Sequence, residues 1–229
     1  LCSSKTKAEI EVYRERLGLD TPFIVENGGA IFIDRDYFSF PYGHHRAICN
    51  YRVIELGIAY GEVRRILEGV RRENRLFFRG FSDMDDAQVA ALTGLDMASA
   101  GRARQREYGE TLDLGGSERD TKHILDRIKD TGLNWSRGSR LYSVAGGSDK
   151  GIAVRVVAGL YNEKLGKIKT IGVGDSPNDE PMLAEVDFPV LVQKPGGCWE
   201  EIELPNLYRV EGVGPKGWVE AVKGLTGIR

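Results

Sequence analysis

Apolar residues along this chain occur in two patterns, short continuous runs and runs spaced by three or four positions. The continuous runs include two segments around a Glu-Asn-Gly-Gly turn (22–33), YRVIELG (51–57) and IKTIGVG (168–174). Continuous runs bounded by turn residues predict strands, and spaced runs predict helices. Because short strands alternate with helices, the sequence predicts an α/β fold with a parallel sheet covered on both faces.

The first helix has the clearest boundaries. Thr6 and Glu9 form a capping-box pattern, and apolar residues at helical spacing lead from there to Gly18. Further helices are predicted around 63–70, 83–106, 119–133, 149–166 and 215–225, and further strands at 110–116, 139–146, 188–194 and 207–210.

The middle of the chain, about 58–144, is less regular, more charged and flanked by glycines. We interpret it as an α/β insert in a core formed by residues 1–57 and 145–229. A chain of 229 residues is long enough for a core of this kind and an insert.

Composition narrows the class of protein. Hydrophobic residues make up 41% and charged residues 29%, with a net charge of −2 and no basic block, so nucleic acid is not an expected partner. No apolar run approaches the roughly 18–20 residues that cross a membrane, and no signal peptide is visible. Cys2, Cys49 and Cys198 are odd in number and far apart, which argues against a disulfide framework or a zinc cluster. We expect a cytoplasmic location.

The acidic cluster GDSPND (174–179) follows the apolar run at 168–174 directly. Ligands of parallel sheets bind beyond the carboxyl ends of the strands, where Asp175 would lie. Mg²⁺ prefers one or two carboxylates together with water and phosphate oxygens. We therefore predict that Asp175 binds Mg²⁺ directly and that Asn178 and Asp179 supply further oxygens. The alternative is that Ser176 to Asp179 only caps a helix.

Two other residues suit a bound phosphate. Lys150 begins a predicted helix, where it can neutralise a phosphoryl group, although a lysine in that position is commonly just solvated. Ser3 precedes the first helix, where a hydroxyl and free backbone N–H groups can bind phosphate, although it can also be an ordinary cap residue.

Taken in their order along the chain, Ser3, Lys150 and GDSPND resemble motifs of the haloacid-dehalogenase (HAD) phosphatase superfamily. Ser3 resembles its second motif, Lys150 its third and GDSPND its fourth, and the insert resembles the α/β cap of its Cof-like subgroup. A closer resemblance is to the mannosyl-3-phosphoglycerate phosphatases, carried by segments 3–33, 83–95, 106–112 and 147–151. It implies a HAD-like Rossmannoid core with an inserted α/β cap.

This resemblance also implies a reaction. The expected activity is Mg²⁺-dependent hydrolysis of mannosyl-3-phosphoglycerate to phosphate and mannosylglycerate, a compatible solute. An aspartate would attack phosphorus, and a second aspartate two residues later would act as general acid and base. Arg106 and Glu107 would recognise the sugar and glycerate, and Glu26 and Asn27 would orient the substrate or support the loop.

The family begins with a strand ending in Asp-x-Asp, whereas this sequence starts within what resembles the second strand. The only substitute, Asp83-Met84-Asp85, lacks a preceding apolar strand and lies in the segment that resembles the cap. The nucleophile is therefore unknown. We expect residues 1–229 to be an incomplete copy, inactive alone, with an unpaired sheet edge that favours self-association. The alternative is a non-catalytic relative that binds phosphate.

The segment around 135–144 also departs from the family pattern. Arg137-Gly138-Ser139 and Ser143 stand where the family has a His-Gly-Gly turn and a second His. Glucosyl-3-phosphoglycerate or another sugar phosphate is therefore an alternative substrate. The sequence leaves the oligomeric state open.

Overall fold

A computed structural model describes residues 1–138 and 141–227 of the chain. It consists of two compact units, Leu1–Asp149 and Lys150–Arg229. The division into a core of 1–57 and 145–229 and a cap of 58–144 stays a prediction. No helix in the described ranges has the length and apolar character needed to cross a membrane.

The first unit begins with helix α1 (Lys7–Leu17), which confirms the expected capping pattern. Thr6 Oγ1 accepts from the Glu9 N–H at 3.3 Å, and a Glu9 carboxylate oxygen accepts from the Thr6 N–H at 2.9 Å. The Thr6 hydroxyl donates to the carbonyl of Arg102 at 2.8 Å. Gly18 ends the helix with a φ of 62°. Thr6 is fully buried and therefore connects α1 to a segment 96 residues away.

A four-stranded antiparallel sheet follows α1. Its strands are β1 (Phe23–Val25), β2 (Ala30–Asp34), β3 (Arg46–Ile48) and β4 (Tyr51–Glu55), in the order β1-β2-β4-β3. The antiparallel pairing of β1 and β2 agrees with the two strand segments expected around the Glu-Asn-Gly-Gly turn, and the bridge between Cys2 and Ile24 is parallel. The turn between β1 and β2 is far too short for the crossover that parallel neighbours require.

A second antiparallel sheet closes the first unit. It contains β5 (Arg79–Gly80), β6 (Gly109–Asp113), β7 (Asn134–Arg137) and β8 (Tyr142–Ala145), in the order β5-β6-β8-β7. The first two residues of the strand expected at 139–146 lie outside the described residues. On the apolar side of this sheet, Leu112 and Val144 share a core with apolar residues of helices α2 and α5. The helices of this half of the unit are α2 (Tyr60–Asn74), α3 (Asp86–Thr93), α4 (Met97–Ala103) and α5 (Glu118–Asp130).

The helical segment expected at 83–106 is divided into α3 and α4. Gly94 ends α3 with a φ of 78°, and the Asp96 carboxylate caps α4 by accepting from the Ser99 N–H at 2.8 Å. A glycine in the left-handed region followed by an N-cap residue stops one helix and starts the next.

The second unit contains the parallel sheet. Strands β9 (Ile171–Gly174), β10 (Phe188–Gln193) and β11 (Tyr208–Val213) pair in the order β11-β10-β9, as the sequence predicts. β9 begins three positions later than expected, because the Asp187 carboxylate accepts from the Thr170 N–H at 2.9 Å before the strand starts. The helices of this unit are α6 (Lys150–Leu165), α7 (Glu180–Ala184) and α8 (Gly214–Thr226).

Replacing Thr6 tests the link between α1 and α4. Thr6→Ala removes the cap and the hydroxyl that donates to the Arg102 carbonyl, which keeps its bond from the Gln105 N–H, so we expect the free energy of unfolding to fall by about 1–2 kcal/mol. Urea denaturation followed by circular dichroism measures the change. Thr6→Ser retains the hydroxyl and should lose much less, and equal losses in the two variants would contradict this interpretation.

Candidate active site

Ser3 lies at the end of an extended segment that pairs with β1. Cys2 forms a parallel bridge with Ile24, and the Ser3 N–H donates to the Ile24 carbonyl at 3.1 Å. Ser3 Oγ accepts from the Lys5 N–H at 3.3 Å, shortly before α1 begins. The Ser3 loop (residues 3–5) therefore has the hydroxyl of the predicted phosphate cradle and precedes a helix N-terminus, but its Ser3 and Lys5 N–H groups already donate within the chain. Phosphate binding by this loop stays a prediction.

All three carbonyl groups of the Ser3 loop point towards residues that the sequence singled out as substrate-binding. Each accepts one hydrogen bond, so the loop is fixed along its whole length. The donors are the Asn27 N–H to Ser3 at 3.0 Å, Arg106 Nη2 to Ser4 at 3.3 Å and the Glu26 N–H to Lys5 at 2.9 Å.

The carboxylate of Glu26 is only 1% exposed and is surrounded by donors. It accepts from the backbone N–H groups of Glu107, Tyr108 and Gly109 at 2.8, 3.1 and 2.9 Å. Arg106 Nε lies 3.6 Å from the same carboxylate and donates to the Gly109 carbonyl at 2.7 Å. Burial raises the pKa of Glu26, and Arg106 and the three N–H groups act in the opposite direction.

The backbone around Glu26 is unusual as well. Glu26, Asn27 and Gly28 have successive φ values of 48°, 58° and 97°, and such values are rare for residues with a side chain. They turn the Glu26 and Asn27 N–H groups towards the Ser3 loop. This geometry favours loop support over direct substrate contact for both residues, and their part in the reaction stays a prediction.

Glu107 belongs to a neighbouring polar cluster. Its carboxylate pairs with Arg46, whose Nε lies 2.9 Å from Glu55. The Tyr108 hydroxyl accepts from Arg46 at 2.7 Å and donates to Glu55 at 2.7 Å. Burial, and after it the hydrogen bond to Glu55, raises the pKa of Tyr108. The Glu107 side chain is one third exposed, so the predicted contact with a substrate stays open.

In the second unit, Lys150 and Asp179 form a buried ion pair. Lys150 Nζ donates to Asp179 Oδ1 at 2.6 Å, and the two side chains are 5% and 12% exposed. Asp179 Oδ2 accepts from the N–H groups of Asp175 and Ser176, each at 3.1 Å. Lys150 is therefore not a solvated lysine. Asp179 caps the turn, as the alternative interpretation expected, and it also holds the Lys150 ammonium group in place.

Gly174 allows Asp179 to approach the end of β9. A Cβ atom added at Gly174 would lie 2.5 Å from Asp179 Cβ, a separation that folded proteins do not tolerate. The glycine before Asp175 is therefore required by the packing of the ion pair.

Asp175 is the carboxylate best placed for a metal ion. It follows β9 directly and is partly exposed, and its Oδ1 accepts from the Ser176 hydroxyl at 2.7 Å. Asn178 lies in the same turn. In residues 1–138 and 141–227, no three His, Cys, Asp or Glu side chains form a metal-binding group by themselves. One carboxylate and one amide oxygen nevertheless suit Mg²⁺, which keeps several waters and a substrate phosphate as its other ligands.

Asp83 and Asp85 have structural contacts. Asp83 Oδ2 accepts from Arg71 at 2.7 Å and from the Gly80 N–H at 2.9 Å. Asp85 caps α3 by accepting from the Gln88 N–H at 2.8 Å. These roles support the rejection of both as the nucleophile.

Relatives identify the family. The chain is 44% identical over 227 residues to the glucosyl-3-phosphoglycerate/mannosyl-3-phosphoglycerate phosphatase of Methanococcoides burtonii, covering 99% of this chain and 84% of that protein. The chain belongs to the mannosyl-3-phosphoglycerate phosphatase family. The mannosyl-3-phosphoglycerate phosphatase of Pyrococcus furiosus is 39% identical over 191 residues, with 83% of this chain and 75% of that protein covered. The chain matches no model in a scan of protein-family models.

Solved structures confirm the fold expected of that family. A haloacid dehalogenase-like hydrolase from B. subtilis superposes with a TM-score of 0.62 at 15% identity, covering 98% of this chain and 86% of that chain. A sugar phosphatase of HAD subclass IIB gives a TM-score of 0.61 at 15% identity, covering 99% of this chain and 85% of that chain. The fold that the resemblance implies is therefore confirmed.

Replacing Glu26 tests whether its buried carboxylate holds the first unit together through Arg106 and the N–H groups of residues 107–109. In Glu26→Gln an amide NH₂ faces backbone N–H donors and Arg106 loses its carboxylate, so we expect unfolding to become easier by about 3–5 kcal/mol. Glu107→Gln is the matched control, because its carboxylate is partly exposed and should contribute less than about 1 kcal/mol. Similar urea midpoints for the two variants would contradict this stabilising role of the Glu26 carboxylate.

Replacing Gly174 tests the packing of the ion pair. Gly174→Ala should push Asp179 away from β9 and lower the free energy of unfolding by more than about 2 kcal/mol. Gly159→Ala is the control, since a Cβ there meets nothing within 4 Å and alanine should stabilise α6 by up to about 1 kcal/mol. Thermal unfolding compares the two. A Gly174→Ala protein as stable as the parent would show that Asp179 is not tightly packed.

Proposed function

We propose that the protein is a Mg²⁺-dependent phosphomonoesterase that hydrolyses mannosyl-3-phosphoglycerate and glucosyl-3-phosphoglycerate to phosphate and the corresponding glycosylglycerate. The observation that carries this proposal is the buried Lys150–Asp179 pair beside Asp175 at the carboxyl end of β9. A buried ion pair is costly to desolvate and adds little stability, so its placement beside a ligand-type carboxylate favours a catalytic role.

Lys150 serves as the fixed positive charge for the phosphoryl group. An ammonium group has three N–H donors, so a lysine oriented by one Asp179 oxygen can also donate to a phosphoryl oxygen. In the first unit, we propose the Ser3 hydroxyl and the Ser4 N–H as the groups that bind phosphate oxygens, because the N–H groups of Ser3 and Lys5 already donate to Ile24 and Ser3. Both groups stabilise negative charge that develops in the transition state.

Asp175 and Asn178 would hold Mg²⁺, and Asp179 supports them through the backbone of the turn. When bound, the ion supplies positive charge that neutralises the phosphoryl oxygens. The family resemblance implies an aspartate nucleophile, which we assign to no residue of this chain.

Both glycosyl groups are proposed because of the relatives. The proteins of Methanococcoides burtonii and Persephonella marina, 44% and 35% identical to this chain, are named for the glucosyl and the mannosyl substrate alike. The products are compatible solutes by family resemblance. Cys2, Cys49 and Cys198 form no disulfide with one another, and we propose a reducing, cytoplasmic compartment.

The experiment measures phosphate release by the full-length protein from both substrates over a range of Mg²⁺ concentrations. Wild type should turn over both. Asp175→Asn removes a ligand carboxylate, so it should raise the Mg²⁺ requirement and lower kcat/KM by roughly a hundredfold or more.

Asp187→Asn is the matched control, because Asp187 is a carboxylate of the same unit whose partners are Lys169 and Thr170. It should leave the Mg²⁺ dependence unchanged. Undiminished activity of Asp175→Asn at limiting Mg²⁺ would exclude the metal role. A wild type that binds the substrates without releasing phosphate would instead indicate a non-catalytic relative.

A further inference from the structure

A cavity of about 330 Å³ in the first unit adjoins the Ser3 loop. This volume lies at the lower end of the range for small-ligand sites, about 300–1,000 Å³. Its lining includes Ser4 and Lys5 of the loop, Arg106, and the strand residues Thr111 and Ser143. We call it the Lys5 cavity. A molecule whose phosphate occupies the Ser3 loop would extend into it.

The charge of the Lys5 cavity suits an anion. Lys5 and Arg106 line it together with a single carboxylate, Glu9, which lies 3.3 Å from Lys5 Nζ. Arg106 is occupied by the carbonyls of Ser4 and Gly109, and the buried Glu26 carboxylate 3.6 Å away balances its charge. Lys5 is 37% exposed and is therefore the cation that remains accessible to a ligand.

The floor of the Lys5 cavity carries hydroxyl groups. Thr111 on β6 and Ser143 on β8 are direct partners across the sheet, so their side chains share one face. Ser136 on β7 pairs with Ser143 and extends the row. Thr111 is only 8% exposed, yet neither its hydroxyl nor that of Ser143 bonds to any part of the chain that the structure describes. A nearly buried hydroxyl group without a protein partner that lines a cavity is a ready site for a hydroxylated ligand.

We propose that the Lys5 cavity binds the glycosylglycerate end of the substrate, with Lys5 pairing with the glycerate carboxylate and Thr111 and Ser143 contacting sugar hydroxyls. This assignment rests on the proposed function for its ligand. It makes the three residues determinants of specificity that do not take part in the chemical step.

The test measures binding of mannosylglycerate and of glucosylglycerate to the full-length protein by calorimetry. These molecules lack phosphate, so binding does not depend on turnover. Lys5→Met should weaken binding at least tenfold, because a charge-assisted contact is lost. Thr111→Val and Ser143→Ala should each weaken it by roughly three- to tenfold.

Matched controls separate the cavity from folding. Lys7→Met breaks a similar i,i+4 pair on α1, with Glu11 at 2.9 Å, but Lys7 does not line the cavity. Thr121→Val removes a threonine hydroxyl on α5. Both should bind like wild type, and Thr111→Ser, which keeps the hydroxyl, should restore most of the affinity that Thr111→Val loses. Circular dichroism verifies that each variant is folded.

The outcomes separate this proposal from the proposed function. Phosphate release with glycosylglycerate binding that is absent, or unchanged in the cavity variants, would overturn the cavity assignment and leave the reaction intact. Binding that depends on Lys5 and Thr111, without phosphate release from either substrate, would overturn the reaction and support the cavity.

Discussion

The buried carboxylate of Glu26 is the interaction on which the first unit depends. A carboxylate removed from water must be matched by donors, and Glu26 obtains them from the three N–H groups that lead into β6 and from Arg106. Glu26, through its backbone N–H, and Arg106, through its guanidinium group, also donate to carbonyls of the Ser3 loop. One buried charge therefore fixes both the loop expected to bind phosphate and the strand that carries Thr111. The position of the proposed substrate site follows from an electrostatic requirement of folding.

The second unit uses the same principle with a different pair. The Asp179 carboxylate is satisfied by Lys150 on one oxygen and by two backbone N–H groups on the other, and Gly174 makes room for it. Asp175, which directly follows β9, stays partly exposed and accepts from the Ser176 hydroxyl. In each unit, a buried carboxylate has hydrogen-bond donors for both of its oxygens, Glu26 in the first unit and Asp179 in the second. The group proposed for chemistry has fewer hydrogen bonds and lies in the adjoining loop or turn, the Ser3 hydroxyl in the first unit and Asp175 in the second. Such support holds reactive groups in place before the substrate arrives.

Local signals explain what could be predicted from the sequence. The Thr6 cap, the turn after β1 and the GDSPND turn each depend on residues within a few positions of one another, and all three were predicted. The partners of Glu26 lie more than 80 residues away, and no local pattern indicates them. β3, β5 and β7 were missed because they are short and largely polar or exposed, without an apolar run. Lys5 carried a signal that was overlooked, a basic residue two positions after the serine of a phosphate-type loop.

The departure at Ser143 gains a physical meaning from the Lys5 cavity, which this residue lines. A serine hydroxyl is both donor and acceptor, and it rotates, whereas a histidine ring presents fixed nitrogen positions. Glucosyl and mannosyl groups differ in the orientation of a single hydroxyl. A floor of rotatable hydroxyls, Thr111 beside Ser143, can meet either orientation with a small change in its own geometry. In the proposed assignment, Lys5 pairs with the glycerate carboxylate that the two proposed substrates share. We therefore expect weak discrimination between the glucosyl and the mannosyl substrate. The ionic contact is made to the glycerate carboxylate, which is the same in both, and the rotatable hydroxyls contact the sugar, where the two differ.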